Sequence, residues 1–240
     1  MATTGCCEQS LASLGATAEV RGWVSPVTYA RLMPGDVVLE LGSACGIEPL
    51  IAAAKVGPDG RVIDVKPTES TFERARSEIA ASGLDNVDVR RGTADRLPVA
   101  GDSVDWAIAD CAVNLAADKR RAFAEIFRVL KPGGRMWVAE IVAEAGSAIH
   151  RNELPRDSCL ASARSEDEYT ACIRLCGLTD ISVGGRYVYD RDQLANLGGG
   201  AAHITEEFVG QVWSVWLGAR KPAGKADERG REPHIEEERQ

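Results

Sequence analysis

VVLELGSACG, Val37 to Gly46, is the stretch on which the fold turns. Val37, Val38 and Leu39 make a short, wholly apolar run, as in a strand buried on both faces of a parallel sheet. Glu40 stands at its carboxyl end, and Gly42 follows at a turn too tight for a side chain. Gly46 opens a second apolar stretch, Ile47 to Val56, whose alanines favour helix. Strand, glycine turn and helix is the geometry in which backbone N–H groups and a helix N-terminus meet a ligand. The stretch predicts a nucleotide-like ligand above the turn. A turn that needs glycine only for packing would read the same way, so both readings stay open here.

Outward from that stretch the pattern repeats. Gly57-Pro58-Asp59-Gly60 is a turn by composition, and Arg61 to Val65 reads as a second strand. Ser70-x-x-Glu73 predicts a capping box for a helix carrying Phe72, Ala75, Ile79 and Ala80, ended by Gly83. Asn86 to Arg91 is a third strand, and Ser103 to Ala109 a fourth, ending at Asp110-Cys111. Asp118 to Leu130 is an amphipathic helix with Phe123, Ile126, Phe127 and Leu130 on its inner stripe. Lys131-Pro132-Gly133-Gly134 should stop it, and Arg135 to Val142 is the fifth strand. Strands alternating with helices specify right-handed crossovers and a doubly wound, mostly parallel α/β sheet. Ligands of such sheets sit at the carboxyl ends of the strands. Glu40, Asp64, Lys66, Thr93, Asp110 and Cys111 fall at or near those ends.

The pattern changes after residue 143. Ala143 to Leu160 is irregular and long enough for a lid or substrate loop. Ser165-x-x-Glu168 is a second capping box, opening a helix that Gly177 terminates. Ile181 to Val183 and Val209 to Leu217 predict strands that pair antiparallel beside the first five. Gly198-Gly199-Gly200 is a break and not a phosphate loop, because no Lys-Ser/Thr follows. The organisation expected is an N-terminal segment over 1–31, partly mobile, one α/β domain over 32–221, and a charged, disordered tail over 222–240.

Composition narrows the function classes. A net charge of −8 and a pI near 5.1 argue against an electrostatically driven nucleic-acid binder. The N-terminus shows no basic region followed by an apolar core, and no apolar run approaches the length of a membrane span. Seven cysteines, without disulfide or zinc spacing, suit a reducing cytoplasm. Cys6 and Cys7 are vicinal and could chelate a soft metal or metalloid, or be incidental to a poorly ordered terminus. Cys45, Cys111, Cys172 and Cys176 read as small core residues, and His150, His203 and His234 as surface positions. Lys119, Arg120 and Arg121 read as a solvated helix face. The oligomeric state is not legible.

VLELGSACG, RGTADRLPVAGDSVDWAIAD and FRVLKPGGRMWVAEIV, in this order, resemble the class I S-adenosylmethionine-dependent methyltransferases. DCAVNLAADKRRAFAEIFRVLKPGG narrows the resemblance to the arsenite methyltransferase family, as does SCLASARSEDEY with Cys159. The resemblance covers roughly residues 32 to 185 and implies S-adenosylmethionine as cofactor and a small-molecule or metalloid substrate. It implies that Glu40 bonds around the methionine moiety, while Gly42, Ser43 and Gly46 let the backbone approach the cofactor. Thr93 and Ala94 would meet the adenine, and Asp110 and Cys111 the methionine end. Cys159, with Cys6 or Cys7, would hold trivalent arsenic, since soft thiolates suit soft metalloids.

The sequence departs from the family's pattern at defined points. An acid at the end of the second strand, where the ribose hydroxyls are held, is here Lys66, which has donors and no acceptor. Asp64 lies two residues earlier on the same face and could stand in. The central glycine of the turn is Ala44, followed by Cys45. A thiol ahead of the first strand is replaced within Gly22-Trp23-Val24, and a late one aligns with Gly210. Cys159 alone remains of three expected arsenic ligands. The alternatives are a methyltransferase for another small molecule and a non-catalytic relative that binds a metalloid or a partner.

Overall fold

The computed structural model describes residues 25–42, 46–147, 159–197 and 208–224. Cys6, Cys7, Trp23, Ser43, Ala44, Cys45, the three histidines, the Gly198–Gly200 break, most of the 143–160 loop and the tail beyond 224 lie outside them.

Five strands form as the pattern requires, with helices after β1, β2 and β4 and none between β3 and β4: β1 (Val37–Leu41), β2 (Arg61–Lys66), β3 (Val87–Arg91), β4 (Val104–Asp110) and β5 (Leu130–Ala143). The intervening helices are α1 (Ile47–Val56), α2 (Glu69–Ser82), the single turn α3 (Ala112–Leu115) and α4 (Lys119–Val129). After β5 come α5 (Glu166–Leu175), β6 (Thr179–Val188), α6 (Arg191–Leu197) and β7 (Val212–Arg220). The seven-stranded sheet has the order β3-β2-β1-β4-β5-β7-β6. Its first five strands are parallel, and β7 runs antiparallel to both β5 and β6.

Alternate residues of each strand feed opposite layers. Val38, Val62, Trp106 and Ile108 pack with Ala52, Ala53 and Val56 of α1. Leu39, Ile63, Ala107 and Val138 pack on the other face with Phe123 and Ile126 of α4 and Tyr169 and Ile173 of α5. Both faces are covered, so β1 is apolar at successive positions instead of alternating. The strand order reverses between β1 and β4, which places the crevice of this fold class outside their carboxyl ends.

Several boundaries differ from expectation. Helix α2 is capped by Thr68, whose side chain accepts from the Thr71 N–H while Thr71 bonds back to the Thr68 N–H, so it starts before Ser70. Lys131–Gly134 belongs to β5, because the Gly133 N–H donates to the Lys221 carbonyl and the Lys221 N–H to that of Gly134. Lys221 Nζ in turn donates to the carbonyls of Phe127 and Leu130 at 2.8 Å, serving the end of α4. Strand β6 runs through Gly184-Gly185, where the sequence suggested only three residues. A Cβ at Gly184 or Gly218 would lie 3.0 or 2.8 Å from the Trp137 ring, so the glycines make room for that indole. Strand β7 starts at Val212 and not Val209, since Gly210 sits at φ +84 in the preceding turn. Helix α6 was missed although Asp190 and Gln193 cap it reciprocally, each side chain accepting the other's N–H at 2.8–2.9 Å.

Candidate functional site

Two clusters of polar side chains form at the carboxyl ends of the strands. The first lies at the tips of β1 and β2. Register pairs Glu40 with Asp64, and Lys66 follows on the same face two residues on. All three are buried on the α1 side, at 0%, 0% and 3% exposure. Lys66 Nζ lies 2.7 Å from Asp64 Oδ1 and 3.3 Å from Glu40 Oε2. Glu48, in the first turn of α1, is buried beside them and accepts from the Ser25 hydroxyl. Burial, reinforced by the Glu40 charge and opposed by Lys66, pushes the Asp64 carboxyl up to about 8. Burial likewise raises Glu48, against its bonds from Ser25 and Glu40. For Lys66, burial pulls downward and the two carboxyls outweigh it, so the ammonium is held above its usual value.

The glycine turn joins this cluster to the β4 tip. Gly42, at φ +90, passes so near β4 that a Cβ there would lie 2.4 Å from the Asp110 carbonyl oxygen. Gly46, at φ +65, starts α1, and a Cβ there would meet the Glu78 carboxylate at 2.1 Å. Both positions favour glycine for conformation, and Gly42 also for space, since the atom it meets is backbone while the Glu78 side chain beside Gly46 can move aside.

The second cluster hangs from β4 and β5. Cys111 takes the left-handed conformation at φ +52 and starts α3. The Glu140 carboxyl accepts the N–H groups of Val113 at 3.0 Å and Asn114 at 2.9 Å, at the start of that helical turn. Burial still lifts Glu140 to about 8, opposed by those two bonds and by Lys119. Asn114 Nδ2 donates to the Ile141 carbonyl at 2.9 Å and the Cys159 carbonyl at 3.3 Å, and its Oδ1 accepts from the Tyr169 hydroxyl. One amide thus fastens α3, β5, α5 and the Cys159 segment together. Lys119 is no surface residue: it is half-buried and donates to the Asn114 carbonyl at 3.0 Å.

The structure therefore gathers Glu40, Asp64 and Lys66 at one tip, and Gly42, Asp110 and Cys111 at the next. Thr93 and Ala94 lie beyond β3, where Thr93 donates to Asp95 at 2.6 Å and the Gly92 N–H ties the loop to the Lys66 carbonyl. Cys111 and Cys159 are both buried in a single apolar cluster with Ile141, Leu160 and Phe208. Cys172 and Cys176 are half-buried on α5 and its cap, against the core that their reading predicted. Sequence reasoning missed Glu48, Glu140, Asn114 and Tyr169. A signal for Glu140 was present: an acid inside an otherwise apolar strand needs a partner.

Comparison with known proteins now adds what geometry cannot. Residues 32–199 match the family model described as a methyltransferase domain. An arsenite methyltransferase of Halobacterium salinarum is 34% identical over 209 residues, covering 84% of this chain and 51% of that protein. A demethylmenaquinone methyltransferase of Symbiobacterium thermophilum is 37% identical over 110 residues, 45% of this chain and 44% of that one. The chain spans about half the length of these curated relatives. Among solved structures, an arsenic(III) S-adenosylmethionine methyltransferase from Chlamydomonas reinhardtii aligns with TM-score 0.60 at 23% identity, covering 93% of this chain and 75% of that one. The cyclase SpnF aligns with TM-score 0.66 at 23% identity, covering 83% and 79%. These likenesses show the fold.

At the turn, the fit to S-adenosylmethionine rests on the crevice at the β1–β4 switch point, beside which the Gly42 backbone packs close against Asp110. At the β2 tip they depart from that fit, because the carboxyls that could accept hydroxyl hydrogens are engaged by Lys66. No helix among the described residues is long and apolar enough to cross a membrane. The sheet, the glycine turn and the match across most of its length agree: the chain belongs to the methyltransferase domain family, within the class I, S-adenosylmethionine-dependent fold.

Proposed function

We propose that this chain moves a methyl group from S-adenosylmethionine to a small thiophilic acceptor, with trivalent arsenic as the substrate class. The observation that carries this reading is the likeness to arsenite methyltransferases along most of the chain. It is supported by the β4 tip, where the DCAVNL segment builds Cys111, α3 and Asn114 into one hydrogen-bonded unit with the Cys159 segment. When bound, S-adenosylmethionine supplies an electrophilic methyl on a sulfonium. Gly42 and Gly46 would seat it, Glu40, Asp64 and Asp110 would line the crevice, and the apolar cluster around Cys111 and Cys159 would keep water from the acceptor. An arsenic lone pair needs no base, so these residues would act by alignment and by exclusion of water.

A second acceptor class has its own support. The relative named for demethylmenaquinone matches at 37% identity over 110 residues. The experiment is incubation with arsenite, glutathione and methyl-labelled S-adenosylmethionine, followed by chromatography of arsenicals. Labelled methylarsenicals are expected. Cofactor binding without them, together with turnover of a quinol, would move the assignment to the carbon acceptor.

A further inference from the structure

We infer that Lys66 is a specificity-determining residue of the cofactor crevice, an internal competitor whose ammonium must leave the tips of β1 and β2 before a ligand hydroxyl can reach Glu40 and Asp64. The inference rests on the proposed reading of the crevice and deepens it.

Three observations carry it. First, the contacts close on themselves: the ammonium lies 2.7 Å from Asp64 and 3.3 Å from Glu40, and the three residues are 3% exposed or less. One oxygen of each acid, Asp64 Oδ1 and Glu40 Oε2, faces the ammonium, and lysine itself offers no acceptor to a ligand. Second, the place is poorly explained by stability. Burying an ammonium with three carboxyls, Glu40, Asp64 and Glu48, gains little over apolar packing of the kind that Val62 and Val65 give the same strand. Third, the triad adjoins the turn that any ligand of this crevice must touch. Glu40 precedes Gly42 by two residues, and the Lys66 carbonyl accepts the Gly92 N–H that anchors the Thr93–Ala94 loop.

A four-carbon stem lets the ammonium swing out while the strand stays in place. Two states follow. In the closed state the Lys66 ammonium lies between Asp64 and Glu40. In the open state a ligand diol donates to Asp64 and Glu40, and the ammonium moves toward solvent. Ligands without vicinal hydroxyls gain nothing from the exchange, so the lysine would select for those that have them.

The test titrates S-adenosylhomocysteine calorimetrically into the full chain and into Lys66→Met and Lys66→Arg. The Met variant should bind about tenfold tighter or more, and the Arg variant no tighter than the unchanged protein. A Met variant that binds equally or more weakly overturns the inference and leaves the cofactor reading intact. Absence of binding by every protein overturns both. Should Lys66→Met not fold, acetylation of the Lys66 amine in the unchanged protein decides, read by mass spectrometry with and without ligand. Faster labelling in saturating S-adenosylhomocysteine supports displacement, and unchanged or slower labelling refutes it.

Discussion

The two ends of the crevice bury an acid in different ways. At the β1–β2 tip, Asp64 and Glu40 share one ammonium, that of Lys66. At the β4–β5 tip, Glu140 is held by two backbone N–H groups at the start of α3, with Asn114 and Tyr169 bracing the same turn. Backbone donors cannot leave without unfolding the helix start, whereas a lysine can. The first tip is therefore exchangeable and the second a fixed wall. That division suits a site in which one side must admit a ligand and the other must position it.

The largest effect that would break this contrast is on stability at the first tip. Lys66→Met leaves carboxyls buried without their cation, and urea denaturation should show a loss of about 3–5 kcal/mol. A loss below about 1 kcal/mol would mean that the buried carboxyls do not depend on the lysine, and the exchangeable tip would lose its basis. Asn114→Ala removes two donated bonds and one accepted bond at the second tip, and should cost about 2–3 kcal/mol. Far-UV circular dichroism should stay native while the near-UV signal of Tyr169 changes.

A smaller effect sharpens the comparison through pH. Asp64 and Glu140 are pushed up to about 8 from 3.8 and 4.5, so between those limits the folded chain binds more protons than the unfolded one. Stability should then be greatest toward the acid end of that window and fall as pH rises to 8, by about 2 kcal/mol for each group between pH 6 and 8. Asp88, Glu125 and Glu166 are shifted downward by their arginine partners and act only in the acid range, where they lose stability as pH falls. Melting temperatures at pH 6, 7 and 8 check this. Asp64→Asn and Glu140→Gln should each flatten the slope, and a slope unchanged in both variants would place the titrating groups elsewhere.

Sequence reading succeeded at some local rules and missed others, such as the Thr68 cap of α2 and the Asp190–Gln193 cap of α6. Val37–Leu39 is apolar because both faces of the sheet are covered, and Ser165-x-x-Glu168 caps α5 as its spacing implies. It erred where a tertiary partner decides. The strand expected over Ile181 to Val183 stops short of Gly184-Gly185 because the Trp137 ring that requires small residues there is distant in sequence. Lys131–Gly134 looked like a stop because its hydrogen bonds come from Lys221. The site was half legible. Lys66 and Asp64 stood out as departures sharing one face, but their closure with Glu40 depends on the β1–β2 register, which no local pattern states. Asn114 gave no signal, since an amide in a short apolar segment has partners only after α5 and the Cys159 segment fold over it.

The central claim is that the β1–β4 crevice takes S-adenosylmethionine. Its most direct test is calorimetric titration of the full chain with S-adenosylhomocysteine beside Gly42→Val, where a side chain would strike the Asp110 carbonyl. One-to-one saturable binding, lost in a Gly42→Val protein that keeps its native circular dichroism, is the predicted result. No heat from the unchanged chain or from Lys66→Met at ~1 mM ligand would contradict the account.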